Sequence, residues 1–218
     1  MGRAGVLEEI FTQLPPEHRR KLEQIAVEVT LQKGRQLFAP GDPSRGFYVV
    51  REGTVRVYGM SPQGKEITQE IADQGSAFAL ASPFAGNYHC FAEALTDCRL
   101  YLIKRREFLD LVTADISFAT EWIRLLSQMV IQLRRRVIDL TLRSPKVRIA
   151  SYLLLLADMQ GSPSITLPVP RKELAAFLGM THETFYRTAK ELANEGLVRF
   201  AGQTVDILDR DLLAEMTE

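Results

Sequence analysis

The sequence predicts an α+β chain in three parts: an N-terminal antiparallel β-roll, one long helix, and a C-terminal helix-turn-helix followed by a hairpin. Three observations carry this. Between Val27 and Ile103 short apolar runs are punctuated by glycines, at 34, 41, 53, 64 and 75 among other places, the texture of strands separated by tight turns. Within Ile116 to Leu142, apolar residues from Ala119 to Leu140 step by four and three, the spacing of a long helix. From Pro170 to Leu197 two short amphipathic segments meet at Gly179. The boundaries fall at 1–115 for the roll with its N-terminal helices, 116–142 for the long helix and 143–218 for the C-terminal domain.

Residues 6 to 28 carry a helical pattern, Leu7, Ile10, Phe11 and Leu14 and then Leu22, Ile25 and Ala26, broken by Pro15 and Pro16. These are short packing helices, and His18 between them reads as a solvated surface residue. In the roll, Phe47, Val49, Glu52 to Val57 and Ile67 to Ile71 alternate apolar and polar. Gly41-Asp42, Glu52-Gly53 and Gln63-Gly64 sit where turns belong. A roll of about eight such strands can enclose a ligand-sized interior.

Arg105 to Asp110 begin a short helix, and the long helix follows. Its seam runs through Ala119, Ile123, Leu126, Val130, Leu133, Val137 and Leu140. Taking Ile123, Val130 and Val137 as a positions puts Leu126, Leu133 and Leu140 at d, and β-branched a with Leu d favours a parallel two-stranded coil. Those six residues are the candidate dimer interface; the alternative is a core helix of one subunit. A second stripe, Phe118, Trp122, Leu125 and Met129, faces the roll of the same chain. Leu142 to Pro145 is a hinge, because the residue before a proline resists helical geometry. Lys146 to Met159 form the next helix, and GSPSITLPVP a loop and short strand.

In the helix-turn-helix, Leu174, Phe177 and Leu178 give the first helix a buried face. Gly179 supplies the positive φ of the turn, and Thr181 the N-cap of the second helix. There Phe185, Thr188, Ala189 and Leu192 fall on one side, and Glu183, Tyr186, Arg187 and Lys190 on the other. Leu197 to Phe200, a turn at Ala201 to Gln203 and a return run from Thr204 through Val205 to Ile207 make a wing. The polar face suits a DNA major groove. Arg187 can pair two donors with guanine O6 and N7, and Glu183 can accept from a cytosine amine. Lys190 and Arg171 suit phosphates, which fix register without reading sequence. Candidate DNA-binding residues are therefore Arg171, Thr181, His182, Glu183, Thr184, Tyr186, Arg187 and Lys190.

The formal net charge of zero gives no support for nucleic acid, but a small reading head can be locally basic within a neutral chain. Two cysteines, Cys90 and Cys98, make a disulfide framework improbable and suggest a reducing compartment. The opening MGRAGVLEEIFTQL lacks the apolar core of a signal peptide, and no apolar run approaches membrane-spanning length, so a cytoplasmic protein is expected. An enzyme on a cupin-like barrel would need clustered metal ligands, whereas His18, His89 and His182 lie in three segments. A ligand-binding regulatory module without a DNA role is the other alternative; the wing and the Glu183/Arg187 face argue against it.

The run GRQLFAPGDPSRGFYVVREGTVRVYGMSPQGKEITQEI resembles the cyclic-nucleotide-binding sensor domain in its spaced glycines, Gly-Asp turn, Phe-Tyr strand and Glu-Gly turn. Joined to the helix-turn-helix, it makes nearly the whole chain resemble a Crp/Fnr-family transcription regulator. The resemblance implies a homodimer on double-stranded palindromic DNA with TGA-type half-sites, and RNA polymerase as a further partner. The family's reading helix is similar to a Glu-Thr-x-x-Arg pattern, which Glu183, Thr184 and Arg187 match. His182 stands where the cyclic AMP branch has arginine and Fnr valine, and Tyr186 replaces the small residue usual before the arginine.

Members that bind cyclic AMP share a Gly-Glu-Leu followed some ten residues later by Arg-Ser. Here the matching stretch is FALASPFAGNYHCFAEA, with Ala79 and Leu80 in place of Gly-Glu and Tyr88 and His89 in place of Arg-Ser. A buried phosphate left unpaired costs on the order of several kcal/mol, so no cyclic AMP is expected. No cysteine precedes Cys90, so the iron-sulfur cluster of the Fnr branch is not expected either. The resemblance is nearest to the Dnr-type and Hcp-controlling members, associated with haem and nitric oxide. It implies an apolar effector pocket of Phe78, Leu80, Phe84, Tyr88, His89, Phe91, Leu125 and Met129, with His89, or else Met129 or Tyr88, as a haem ligand. The plainer readings make His89 an ordinary strand residue and Cys90 and Cys98 buried small hydrophobes.

Overall fold

A computed structural model describes residues 14–64 and 66–217. The helix expected from Leu7, Ile10 and Phe11 lies outside the described residues. The chain forms two compact units, one ending at Ile131 and the other beginning at Gln132.

The first unit begins with α1 (Pro16–Gln24), with Pro16 in its first turn, where a missing N–H costs nothing. Eight strands follow: β1 (Ala26–Leu31), β2 (Gln36–Phe38), β3 (Gly46–Glu52), β4 (Val55–Met60), β5 (Glu66–Ala72), β6 (Ala77–Phe78), β7 (Phe91–Ala94) and β8 (Cys98–Lys104). A short α2 (Ser82–Ala85) separates β6 from β7, and α3 (Arg105–Ala114) and α4 (Ile116–Leu142) come last. The strands pair antiparallel in two sheets, ordered β1-β8-β3-β6 and β2-β7-β4-β5.

The expected alternation fails in β3, where Gly46 to Val50 are all buried. Both faces of its sheet are covered. Tyr48 and Val50 join Phe38, Phe78, Tyr88, Leu100 and Leu102 inside the roll. Phe47 and Val49 point the other way, into a cluster with Phe108, Phe118 and Trp122 from α3 and α4. A strand buried on both faces reads as a continuous apolar run. Within the outer cluster, the Trp122 ring lies 4.7 Å from Phe108 and 5.2 Å from Phe47. Leu125 and Met129 pack against the same cluster, so the second stripe of α4 does face the roll.

Two expectations near the N-terminus are corrected. Ala26 belongs to a strand, not a helix, because it pairs with Ile103 of β8. His18 is not solvated but 2 % exposed. It lies one turn before Leu22 on the buried face of α1, edge-on to Phe118 at 5.4 Å, with Nε2 3.8 Å from the Asp115 carboxylate.

The second unit holds the end of α4, then α5 (Pro145–Gln160), β9 (Ser164–Thr166), α6 (Arg171–Phe177), α7 (His182–Asn194), β10 (Val198–Ala201), β11 (Thr204–Ile207) and α8 (Arg210–Glu215). The long helix stops at Leu142, and Ser144 caps α5 by accepting the Val147 N–H at 3.3 Å. Ile149, Leu153, Leu174, Phe185, Leu192, Val198, Val205 and Leu213 are buried at its centre. The wing pairs Ala201 with Thr204, so its turn is Gly202–Gln203, one residue tighter than the sequence suggests. Among the described residues no helix is long and apolar enough to cross a membrane, and no group of three or more His, Cys, Asp or Glu is placed to hold a metal ion.

Candidate nucleic-acid interface

The turn between α6 and α7 is built from backbone hydrogen bonds. Met180 N–H donates to the Ala175 carbonyl at 3.0 Å and Gly179 N–H to the Ala176 carbonyl at 3.2 Å, the two bonds of a Schellman end. Gly179 has φ +66°, and a Cβ there would come within 2.5 Å of Leu140 Cδ2. Glycine is required twice over, by conformation and by space. Thr181 then caps α7, its hydroxyl accepting the Thr184 N–H at 3.1 Å and lying 2.9 Å from the Thr184 hydroxyl.

From that cap the two faces of α7 separate as the spacing predicts. Phe185, Thr188, Ala189 and Leu192 are buried, while His182, Glu183, Tyr186, Arg187 and Lys190 are exposed. Arg187 lies 4.0 Å from the Glu191 carboxylate, an exposed i,i+4 pair of little energetic weight that leaves the guanidinium available. The Tyr186 ring is 52 % exposed and edge-on to His182 at 4.9 Å.

Arg171, expected at phosphate, is engaged within the chain. It donates to the Gly202 carbonyl at 2.6 Å and lies 4.9 Å from the Phe200 ring and 5.8 Å from the Tyr186 ring, fastening the start of α6 to the wing. A further wing cation escaped the sequence reading: exposed Arg199 forks onto Asp206 at 3.0 and 3.1 Å. The Ser164 hydroxyl and that guanidinium hold the Asp206 carboxyl below its ordinary range. A basic residue in a two-residue hairpin has no signature of its own.

The residues of the expected effector pocket do not line one cavity. Phe78 and Tyr88 lie inside the roll, where Phe38 stacks on Tyr88 at 3.8 Å. The Tyr88 hydroxyl accepts the Arg45 N–H and donates to the Gly46 carbonyl, both at 3.1 Å. Beside it, burial and then the Tyr88 hydroxyl push the Tyr48 phenol well above its ordinary range. Leu80 belongs to the outer cluster, against which Leu125 and Met129 pack. Phe84 is 49 % exposed, His89 is exposed, and half-buried Phe91 stacks on Tyr58 at 5.0 Å. The sheet divides these residues by side, so the three possible haem ligands, His89, Tyr88 and Met129, do not converge. Ala79, standing where the cyclic AMP branch has glycine, takes φ +61°, alone among the described non-glycine residues. Cys90 is half-buried and Cys98 buried, and burial raises both thiols.

Along α4, Ile123, Val130, Leu133 and Val137 are each at least 55 % exposed. The other two residues of the expected seam are partly covered by their own chain: Leu126 by the outer cluster, Leu140 by the close approach of Gly179.

Comparison with known proteins agrees with this architecture. Residues 28–115 match the cyclic nucleotide-binding domain family, and residues 147–216 the Crp-like helix-turn-helix domain family. A probable transcriptional regulator, flp, of Lacticaseibacillus casei is 28 % identical over 203 residues, covering 93 % of this chain and 92 % of that protein. The nitrogen fixation regulation protein FixK of Rhizobium meliloti is 27 % identical over 190 residues, covering 86 % of this chain and 85 % of that protein. In fold, the FixK2 structure from Bradyrhizobium japonicum superposes with a TM-score of 0.80 at 22 % identity, over 89 % of this chain and 98 % of that one. These relatives are regulators rather than enzymes. With both domain families in order along one chain and regulators matching it nearly end to end, the protein belongs to the Crp/Fnr family of DNA-binding transcription regulators.

Proposed function

We propose that the chain acts as a homodimer that places two α7 helices in successive major grooves, about 34 Å apart, of a palindromic site with TGA-type half-sites. The observation that carries this is the face of α7, where Glu183, Tyr186, Arg187 and Lys190 stand exposed on a helix whose opposite face is sealed. For dimerisation the support is the exposed stripe of α4, from Ile123 to Val137, which spans about 21 Å at the rise of a helix. Left uncovered, a stripe of that length is the kind of surface a partner helix buries.

Replacing Arg187 by alanine removes a bidentate base contact, a loss of about 1–3 kcal/mol, or about 5- to 150-fold in affinity. Fluorescence anisotropy with a TGA palindrome and a scrambled duplex measures it: the palindrome loses affinity and the scrambled duplex changes little. Equal palindrome affinity in Arg187→Ala overturns the role of that residue. A wild-type chain without DNA affinity even at low salt returns the reading to a ligand-binding module.

The signal, in this reading, is not a cyclic nucleotide. Tyr88 occupies the place of the phosphate-binding arginine, and its hydroxyl is already engaged with the backbone at Arg45 and Gly46. Haem with nitric oxide is the signal the family resemblance suggests, and an anaerobic haem titration followed by absorption spectroscopy tests it. A one-per-subunit Soret band, altered in His89→Ala, supports His89 as the ligand; no specific band removes haem and leaves the DNA reading intact.

A further inference from the structure

Two arginines on different helices clasp the turn that leads into α7. Arg136, near the end of α4, donates to the Phe177 carbonyl at 2.9 Å, with its guanidinium 4.3 Å from the Phe177 ring centroid. Arg148, in α5, donates to the Leu178 carbonyl at 2.6 Å and to the Gly179 carbonyl at 3.3 Å. These carbonyls close α6, where acceptors lack helical partners and the helix dipole is negative. A guanidinium answers both needs.

The clasp is held against a cost. Arg148 makes no ion pair with a carboxylate among the described residues, and burial lowers its pKa. Its Nε is buried without a partner, so the side chain is committed to the turn and to little else. Nor does packing alone fix the turn. A cleft of about 200 Å³ lies beside it, lined by Leu140, Tyr152, Leu155 and Leu178 as well as the arginines. Both arginines line that cleft, and their hydrogen bonds tie the turn before α7 to α4 and α5.

We propose that Arg136 and Arg148 are positioning residues for DNA reading: they fix α7 against the end of α4 and against α5 without touching DNA. The proposal rests on the reading of the α7 face given above. Its test uses the full chain with Arg136→Met, which keeps the apolar stem of a half-buried residue, and Arg148→Lys, which keeps one charged donor.

Anisotropy is measured on the TGA palindrome and a scrambled duplex between about 50 and 200 mM salt. Arg136→Met is expected to bind the palindrome about tenfold more weakly, with scrambled-duplex affinity and the salt slope unchanged, because no phosphate contact is lost. Arg148→Lys gives a smaller loss of the same kind. An unchanged palindrome affinity in Arg136→Met, or an equal loss on both duplexes with the salt slope reduced by about one, overturns the role. Hydrogen exchange of the 178–182 amides without DNA gives an independent readout: faster exchange in Arg136→Met is expected, and unchanged exchange overturns the clasp. A wild-type chain that binds both duplexes alike removes the α7 reading and the positioning role with it, while exchange still reports on the clasp.

Discussion

Phe108→Ala lowers the stability of the first unit by about 3–5 kcal/mol, a core-aromatic truncation with no room to collapse. Phe108 is fully buried, and four other rings surround it: Phe47 at 5.2 Å, Trp122 at 4.7 Å, Phe84 at 5.8 Å and Phe118 at 6.0 Å. These come from β3, α2 and α4, so the void opens where three elements meet and none can close it without leaving its strand or helix partners. The chain has a single tryptophan, Trp122, which makes urea unfolding followed by its emission a direct report on this cluster. The midpoint falls well below that of the wild type. A loss under about 1 kcal/mol would mean that the aromatic cluster does not hold α3 and α4 to the roll.

Second in size is the combined change Val130→Glu and Val137→Glu. Both valines are a positions of the proposed seam and are 55 % and 60 % exposed in the single chain, so the substitutions leave its own packing alone. In a parallel coil each would place two carboxylates beside each other in an apolar seam. The expected product is a monomer by sedimentation. Its affinity for the full palindrome drops by about 100- to 10,000-fold, because the second half-site contact is no longer intramolecular, while half-site affinity stays near that of the wild type. A variant that sediments as a dimer, or holds the palindrome tightly, places the interface elsewhere.

Periodicity explains what could be read without coordinates. The long helix carries a run of threes and fours as far as Leu140, the approach of Pro145 places its end at Leu142, and the structure ends α4 at that residue. Gly179 and Thr181 likewise mark a turn whose chemistry is local. The roll was legible as a class and less so in detail. In β3 the inward and outward residues are equally apolar, and only α3 and α4, far along the chain, explain why. Phe78 and Leu80, two residues apart, would share a face if the strand continued, but β6 ends at Phe78 and Ala79 takes φ +61°, so Leu80 joins the outer cluster and a pocket assembled from neighbours in sequence is divided at that residue. His18 reads as surface because nearly every neighbour in α1 is charged or polar, and only the packing of Phe118 and Asp115 against it, from nearly a hundred residues on, buries it. Arg136 and Arg148 were invisible for a different reason: their partners are backbone carbonyls, which every residue carries.

The ring of Tyr88, stacked on Phe38 and hydrogen-bonded to the loop at Arg45 and Gly46, has a consequence under mass action. A sensor that binds a small molecule inside its roll gains stability with concentration, about 2.7 kcal/mol at a hundred times the dissociation constant. Its abundance then follows the supply of that molecule. The Tyr88 ring is covalently part of the chain, so the stability that its stacking and hydrogen bonds give the first unit does not change with the concentration of any small molecule.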